Sequence, residues 1–599
     1  MSEPKTSSEQ EKWVAAALPS PVFDEDAWRK LIPGGYVPGS KEYRIYEKLI
    51  PVLKARGPSD RPRIVVVTDI EQDYDDLLAI IFLSEMHRLG AVELAGFIAN
   101  HGASLERAKF LRTVVHLLGL AHIPVAQGTN GYGDPAELAE ENKHWEIGSY
   151  YELKNITFAE KEWNRDPFLP GCELLEKLAL EVDTKGKEPL TVLLISSLQD
   201  ISEYFDSKLG PRKAPEPPPE SVPEQASIDA AKDSKDGGSD SKDSAKKPEA
   251  VIEPIPTRAD AKREEEGAKF LKKHFKKFVS QGGYTVTSTP DGPDPWKIEP
   301  LANMANNAWN FEGAKNYTQC LAKYGLPSDT WSREVAKVAI LDGSAITKLA
   351  GLGPIGAHLR WLYRRQEFKF YWDPYNAPFM QRLNPEWYLQ TRLVLTPGSD
   401  EYVRLQEPTP GFEEVLPLAK VIAYDGCAAM GAVGDDVMRA LGIMSAELPR
   451  YNTESPHRVF GTKVGDLGGI DGHSLSRIFE VFLIGALKAT QDEAEWLIHS
   501  SSVKHAHETY AVGLDVFEFQ KPFLKESKRL AEVVRFGKDP KEVEKSKEAL
   551  KKLKSEQLDG PGELSKYPKV PAPGEIPYEL LYQAADPDRR KSATQNGGG

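Results

Sequence analysis

Residues 63–90 read RIVVVTDIEQDYDDLLAIIFLSEMHRLG, and this stretch determines the fold class that the sequence predicts. Its first six residues form an unbroken, mostly β-branched run, which is typical of a strand buried on both faces. Apolar residues at helical spacing follow the acidic segment. The same two patterns then alternate along the chain, in VELAGFIAN (92–100), LERAKFLRTVVHLLGL (105–120), IPVAQGT (123–129) and PLTVLLIS (189–196). This alternation predicts an α/β fold, with an open, mostly parallel sheet, helices on both faces and a Rossmann-like core.

The composition outside this pattern predicts three further regions. Prolines and glycines interrupt residues 1–60, which we interpret as an N-terminal arm, extended except for a short helix near 41–55. The α/β domain is predicted over 61–490. Within it, residues 211–266 contain almost no aromatic or large aliphatic side chains and are predicted to be a disordered insertion. Residues 491–599 predict a charged helical extension followed by a disordered, proline-rich tail.

Composition also limits the partners and the compartment. The chain has 599 residues, and 76 basic against 90 acidic side chains give a net charge of −14, which argues against a general nucleic-acid binder. Three widely spaced cysteines exclude a disulfide scaffold or a zinc ribbon. No apolar run approaches the roughly 18 residues of a membrane span, and the first residues lack the apolar stretch of a secretory signal. We therefore expect a cytoplasmic protein without a membrane partner.

Five carboxylates lie within eight residues immediately after the first strand: Asp69, Glu71, Asp73, Asp75 and Asp76. In parallel sheets ligands bind at this carboxyl edge. Carboxylates at this density repel one another unless a cation neutralises them or solvent separates them, and hard oxygen ligands suit Ca²⁺ or Mg²⁺. The alternative is an acidic loop that favours the positive end of the following helix. The segment alone leaves both interpretations open.

Seven motifs in order resemble those of the inosine–uridine-preferring nucleoside hydrolase family. They lie at 69–76 (DIEQDYDD), 102–106 (GASLE), 123–128 (IPVAQG), 196–201 (SSLQDI), 281–283 (QGG), 306–311 (NNAWNF) and 424–428 (YDGCA). The resemblance extends from about residue 61 to about residue 440. It implies a calcium-dependent hydrolase that cleaves the N-glycosidic bond of a ribonucleoside or a ribosyl-like metabolite.

The resemblance also implies roles for individual residues. The Ca²⁺ ligands would be Glu71, Asp76, the backbone carbonyl of Gln199 and Asp425, and Glu71 would also be the general base for the attacking water. Glu71 replaces the family's aspartate, and the added methylene displaces the carboxylate by roughly an ångström, which can cost ~100-fold in rate. Asp75 would bind the ribose hydroxyls.

Asn310 matches a ribose-contacting asparagine of the family, but the substrate half otherwise departs from the family pattern. A second ribose-contacting asparagine is Gly102 here, although Asn100 and His101 are close enough to compensate, and a glutamate is Ala308.

The histidine that protonates the leaving base in many family members is Tyr424 here. A tyrosine can donate a proton but is a weak acid with its pKa of ~10. Trp309, Tyr74 or Tyr424 would be candidates to activate the base by stacking. The alternative for each of these aromatic residues is core packing.

Three functional hypotheses follow. The first is the calcium-dependent N-ribosyl hydrolase, with a small, nucleoside-like substrate and with a homo-oligomer left open. The second is a non-catalytic relative that keeps the metal and binds a ribosylated ligand, a hypothesis that the altered residues 71, 102, 308 and 424 support. The third is a different hydrolase on the same scaffold.

Overall fold

The fold is centred on a parallel sheet. The computed structural model describes residues 23–57, 60–71, 73–132, 166–210, 258–288, 296–376, 384–406, 411–463, 465–500, 529, 530, 533 and 539–554. Within these ranges the strands are β1 (Arg63–Thr68), β2 (Glu93–Ala99), β3 (Val125–Gln127), β4 (Leu190–Ile195), β5 (Phe275–Gln281), β6 (Tyr284–Ser288), β7 (Trp296–Pro300), β8 (Ser328–Trp331), β9 (Ile340–Asp342), β10 (Lys420–Ile422) and β11 (His457–Phe460).

Seven strands form one sheet in the order β11-β8-β5-β4-β1-β2-β3, and every neighbouring pair is parallel. The predicted α/β fold class is therefore confirmed. β1 lies inside the sheet, with Val66 opposite Phe97 of β2 on one side and Leu193 of β4 on the other. The strand pairs β9–β10 and β6–β7 are antiparallel and lie outside this sheet.

Helices cover the sheet. In the described residues they are α1 (Glu25–Arg29), α2 (Lys41–Glu47), α3 (Ile50–Ala55), α4 (Asp75–Arg88), α5 (Ser104–Leu117), α6 (Gly171–Lys185), α7 (Gln199–Leu209), α8 (Arg258–His274), α9 (Ala305–Ala308), α10 (Phe311–Tyr324), α11 (Arg333–Ala336), α12 (Gly343–Ala350), α13 (Pro354–Asn376), α14 (Pro385–Trp387), α15 (Asp400–Gln406), α16 (Phe412–Val415), α17 (Tyr424–Ala432), α18 (Asp435–Leu441), α19 (Arg450–Thr453), α20 (Gly472–Ser500) and α21 (Pro540–Lys554). A π-helix spans Tyr388–Arg392 and a 3₁₀-helix spans Leu416–Leu418.

The unbroken apolar run of β1 is explained by burial on both faces of the sheet. Ile64 and Val66 belong to one hydrophobic core, whereas Val65 and Val67 belong to the other. A strand that faces two cores has no polar face and therefore no alternation in its sequence. Helix α4 is buried from Asp75 to Met86 and packs against α17 and α20, so that its two acidic first-turn residues lie inside the protein.

The N-terminal region packs onto the domain, whereas the sequence predicted an extended arm over 1–60. Trp28 donates from Nε1 to the carbonyl of Leu89 over 2.9 Å. The fully buried Tyr46 donates to Glu85 over 2.6 Å and packs against Phe482 at 4.9 Å between ring centroids. Burial of these aromatic side chains offsets the ordering cost of a segment rich in proline and glycine. Residues 1–22 lie outside the described residues.

Two other predicted boundaries also differ. Helix α8 begins at residue 258, inside the predicted insertion 211–266, because Leu271 is buried and Glu265 pairs with Lys269 at 2.6 Å along the exposed face. Residues 211–257 lie outside the described residues. Helix α20 continues through the predicted boundary at residue 490. Among the described helices, none is both long enough and apolar enough to cross a membrane.

Candidate metal and substrate site

Four carboxylates converge at the carboxyl edge of the sheet. One side-chain oxygen from each of Asp73, Asp75, Asp76 and Asp425 lies within 4.8 Å of the others. Asp75, Asp76 and Asp425 are buried, and Asp73 is partly exposed. We refer to these four residues as the carboxylate group. The group matches the acidic segment that the sequence singled out, with Asp425 added from a site more than 300 residues further along the chain.

Two helix starts build the carboxylate group. Asp75 and Asp76 are the first two residues of α4, and Asp425 is the second residue of α17. The positive ends of helix dipoles favour negative charge, so both helices stabilise the carboxylates that they carry. Thr68, the last residue of β1, donates its hydroxyl hydrogen to Oδ1 of Asp76 and thereby fixes the direction of that side chain.

The members of the carboxylate group can be ionised together only if a positive charge neutralises them. Burial raises the pKa of Asp75 and of Asp425 well above the usual range, and the neighbouring carboxylates raise both further. The pKa of Asp76 is also raised well above that range, first by burial and then by Asp69 and Asp73. Burial likewise raises the pKa of Asp69 to about 6. A hard, oxygen-binding divalent cation fits this donor set, because it would replace the protons that otherwise neutralise the group.

Glu71, the predicted metal ligand and general base, does not belong to the carboxylate group. Its two carboxylate oxygens lie 2.8 and 3.0 Å from Nε2 of His358 on α13, and both side chains are buried. Residue 71 has a φ of 81°, a left-handed conformation that is unfavourable for a non-glycine residue. At this part of the loop Asp73 belongs to the carboxylate group, whereas the side chain of Glu71 contacts His358.

Gln199, the other predicted ligand, starts helix α7 four residues after β4 ends. Its side-chain Nε2 donates to Glu203 over 2.6 Å, so that its side chain is directed along its own helix. The prediction for Gln199 concerned its backbone carbonyl, which remains a proposed ligand.

The buried side chain of Asn100 connects the end of β2 with the end of β4 through hydrogen bonds. Its Nδ2 donates to the carbonyl of Ser197 over 3.0 Å and to Asp200 over 2.7 Å, while Ser196 donates to its Oδ1. Asp200 in turn accepts hydrogen bonds from the backbone N–H and the hydroxyl of Thr129, at 2.9 and 2.7 Å. Both hydrogens of the Asn100 amide are thus used within the protein, and its predicted substrate contact stays a prediction.

An aromatic cluster begins at the residue after Asn100 and consists of His101, Trp309 and Tyr132. The His101 ring lies 4.3 Å from the Trp309 ring and 4.6 Å from the Tyr132 ring, measured between centroids. Trp309 and Tyr132 are both 6% exposed. Burial, with a contribution from Arg107, holds the pKa of His101 well below its usual range, so His101 is neutral at physiological pH. The three rings pack against one another.

Asn310, the predicted ribose ligand, caps a helix. Its Oδ1 accepts a hydrogen bond from the backbone N–H of Gly313 over 2.8 Å and so completes the first turn of α10. The capping role uses the oxygen of the amide. Its Nδ2 remains the atom that could donate to a sugar hydroxyl.

Tyr424, the predicted general acid, is the first residue of α17 and immediately precedes Asp425. Burial raises its pKa, and the nearby Asp75 raises it further, whereas Arg392 lowers it. The phenol is therefore protonated near neutral pH. Tyr74, which we considered for base stacking, is fully enclosed and accepts a hydrogen bond from Arg392 over 2.7 Å.

The sequence interpretation missed three buried residues around the site: Arg107, His358 and Arg392. Arg392 lies in the π-helix and pairs with Glu367, which is buried with it. Each of the three makes contacts with residues far along the chain, and the His358–Glu71 contact spans 287 residues. A buried polar residue inside an apolar helical pattern was the one available signal, and it does not identify the partner.

No family model matches this chain, and no curated protein sequence matches it. Among solved structures, the effector protein XOO4466 is 15% identical, with a TM-score of 0.48 and coverage of 75% of this chain and 99% of its own. The type III effector XopQ, solved with adenosine diphosphate ribose, is 14% identical with a TM-score of 0.48. The match covers 75% of this chain and 98% of the effector. A purine-preferring ribonucleoside hydrolase from Gardnerella vaginalis is 12% identical with a TM-score of 0.38. The match covers 71% of this chain and 99% of the hydrolase.

Proposed function

We propose that this protein is a calcium-dependent hydrolase that cleaves the N-glycosidic bond of a ribonucleoside or a ribosyl-like metabolite. The observation that carries the proposal is the carboxylate group, in which four side-chain oxygens lie within 4.8 Å at the carboxyl edge of the sheet. The ordered motifs in the sequence support the choice of substrate class, because four of them lie at or just after the ends of β1, β2, β4 and β5.

Calcium suits the group better than magnesium or zinc. Ca²⁺ accepts six to eight oxygen ligands in variable geometry, whereas Mg²⁺ requires near-octahedral coordination and retains several waters. Asp73, Asp75, Asp76 and Asp425 would hold the ion, with the carbonyl of Gln199 as a further proposed ligand. The bound cation would supply the positive charge that activates a water molecule and orients sugar hydroxyls.

The carboxylates themselves have two tasks in this reaction. Asp73 is the least buried member of the group, so water can reach it, and we assign it the role of accepting the proton from the attacking water. The transition state of N-glycosidic cleavage carries positive charge on the sugar, and the negative charge of Asp75 would stabilise it. Glu71 is not assigned the base role because its carboxylate is bound to His358.

The leaving base would be handled by Tyr424. Its phenol keeps its proton at neutral pH and can therefore donate a hydrogen bond to the departing nitrogen, although it is a weaker acid than a histidine. The amide Nδ2 of Asn310 would donate to a ribose hydroxyl while Oδ1 continues to cap α10. His101 and Trp309 are kept as proposed substrate contacts, held by packing on each other and by that of His101 on Tyr132.

A second candidate is a non-catalytic protein that binds a metal and a ribosylated ligand. The specific observation in its favour is the engagement of Glu71 with His358, which removes from the group the carboxylate that the resemblance assigned as base. Ala308 also lacks the carboxylate that the resemblance placed there. In this case the group would still bind calcium and a ribosyl ligand, but water would not be activated.

The experiment that separates the two candidates measures free ribose. The full-length protein is incubated with calcium and each of inosine, uridine, adenosine, guanosine and cytidine, with Asp425→Asn as the matched control. For adenosine diphosphate ribose the readout is free adenine, because its riboses stay bound to the diphosphate. Calcium-dependent ribose release that the variant lacks supports the hydrolase. If calorimetry shows binding of a ribosyl compound but no ribose is released, the second candidate is supported. If the protein neither binds nor cleaves any of these compounds, both candidates are wrong.

A further inference from the structure

The pair of Glu71 and His358 is a buried contact between a carboxylate and an imidazole beside the carboxylate group. Glu71 is 0% exposed and His358 is 1% exposed, and both oxygens of Glu71 lie within 3.0 Å of Nε2 of His358. The imidazole packs on Phe110 of α5 at 5.2 Å between ring centroids. The contact therefore ties the loop after β1 to helix α13, which is distant in sequence.

We propose that His358 is a positioning residue of the carboxylate group: by binding Glu71 it withholds a fifth carboxylate from the group and leaves Asp73 to face it. This inference rests on the proposed metal site. Within the loop, Glu71 and Asp73 are two residues apart, so that their Cα atoms are separated by no more than about 7 Å. The two side chains therefore start from neighbouring backbone positions, and the contact with His358 distinguishes Glu71 from Asp73.

The backbone supports this assignment. A φ of 81° is unfavourable for a non-glycine residue, and such a conformation persists where surrounding contacts hold it. The contact with His358 is one that can hold it, because a buried carboxylate without a partner is strongly unfavourable. The left-handed turn at residue 71 and the His358 contact thus support each other.

The expected consequence concerns calcium affinity. The affinity of an oxygen site for Ca²⁺ depends on how many carboxylates surround it and on how rigidly they are held. Removing the partner of Glu71 leaves a buried negative charge without its hydrogen-bond donor. The guanidinium of Arg107 is nearby but is engaged by backbone carbonyls, so the bound cation is the counter-charge toward which Glu71 would turn. Glu71 then turns toward the carboxylate group, and the site gains a fifth carboxylate.

The test is calorimetric titration of calcium chloride into the full-length protein and four variants. His358→Leu removes the hydrogen-bond donor, and we expect it to tighten calcium binding by roughly tenfold. His358→Gln keeps a donor toward Glu71 and should restore the wild-type dissociation constant to within about threefold. Glu71→Gln should also stay within about threefold of the wild type, because Glu71 does not face the ion. The double variant His358→Leu/Glu71→Gln should lose the tightening.

The outcomes separate this inference from the proposed function. Absence of calcium binding by the wild-type protein overturns both. If the wild type binds calcium but Glu71→Gln weakens binding more than tenfold, Glu71 is itself a ligand and the positioning role of His358 is wrong. Tightening that persists in the double variant, or weaker binding by His358→Leu, also overturns it. Should His358→Leu fail to fold, His358→Phe takes its place with the same expected tightening, because it removes the donor but keeps a ring against Phe110.

Discussion

Arg107 donates a hydrogen bond from Nη1 to the backbone carbonyl of Ile70 over 2.5 Å. The same side chain binds the carbonyl of Asp69 and, through Nε, the carbonyl of His101 at 2.8 Å. Arg107 lies on α5 and is fully buried. It joins the loops after β1 and β2 at the two points where the backbone becomes left-handed, Glu71 with a φ of 81° and His101 with a φ of 69°. One guanidinium therefore fixes both loops of the candidate site.

Replacing Arg107 with methionine should destabilise the protein by about 3 kcal/mol, because buried carbonyls lose charge-assisted hydrogen bonds. Calcium affinity should fall roughly tenfold, as for other residues that support metal ligands. Arg107→Lys should recover little, since an ammonium group cannot reproduce the planar fork. The measurements are urea unfolding and calcium titration. Arg112→Met is the matched control on the same helix, where Arg112 binds the exposed carbonyl of Asp166 at 2.8 Å. Equal losses of stability and of calcium affinity in Arg107→Met and Arg112→Met would contradict the role of Arg107 in fixing both loops.

The stabilisation by calcium should grow as the pH rises. Burial raises the pKa of Asp69 to about 6 from an ordinary value near 4, so the folded apo-protein binds this proton more tightly than the unfolded chain does. The resulting stability is present at low pH and is lost as the pH rises from about 4 through about 6, by up to roughly 3 kcal/mol. Asp75, Asp76 and Asp425, whose pKa values are also raised, extend this loss to higher pH.

A bound cation removes the proton requirement, so the melting temperature in calcium minus that in chelator should be larger at about pH 7.5 than at about pH 5. Buried histidines with lowered pKa, such as His101, titrate in both buffers and cancel in this difference. Asp69→Asn serves as the variant that removes one of the titrating carboxylates, and it should reduce the pH dependence measured in chelator. A calcium effect of the same size at both pH values would contradict the assignment of the carboxylate group as a cation site.

The sequence predicted the centre of the fold because that part is determined locally. The first strands and helices were identified from two periodicities, and the crossover connections between parallel strands follow from their alternation. The packing of residues 23–57 was not predicted, because it depends on where Trp28 and Tyr46 find partners, and these partners include Leu89 and Phe482. No local pattern in a segment rich in proline and glycine indicates that its aromatic side chains are buried.

The candidate site was predicted to a similar extent. The acidic segment was identified because its carboxylates are adjacent in sequence, and Asp425 was added through the motif at 424–428. The direction of each carboxylate was not predicted, because it depends on backbone conformation and on long-range contacts. Glu71 illustrates this, because the direction of its side chain depends on a left-handed φ and on the contact with His358, which is 287 residues away in the chain.

Replacing residues 211–257 by a glycine–serine linker of about twelve residues should change the free energy of unfolding by no more than about 1 kcal/mol, because loop closure depends only logarithmically on length. The two flanking helices, α7 and α8, already pack together, and Arg263 donates to the carbonyl of Ser207 over 3.0 Å. A linker of this length can therefore join them. Urea unfolding of the shortened and full-length proteins tests the prediction. A loss of several kcal/mol would show that the replaced segment packs on the domain.

Asn310 allows the capping role of its amide to be separated from the proposed substrate contact. Aspartate caps a helix as well as asparagine does, whereas alanine costs about 1 kcal/mol. Asn310→Asp should therefore leave the free energy of unfolding unchanged while it removes the Nδ2 donor and places a negative charge near the sugar. We expect KM for the best nucleoside, or Kd for a ribosyl ligand that is not turned over, to rise about tenfold.

The alanine variant should show both defects, lower stability and weaker substrate binding, because it loses the cap oxygen together with the donor. Asn384→Asp is the matched control, since Asn384 caps α14 in the same way, accepting from the backbone N–H of Trp387 over 2.7 Å, and is exposed. It should change neither stability nor KM. If Asn310→Asp binds substrate like the wild type while Asn310→Ala is only less stable, Asn310 is a helix cap alone, and the ribose contact must be assigned to another residue at the carboxyl edge of the sheet.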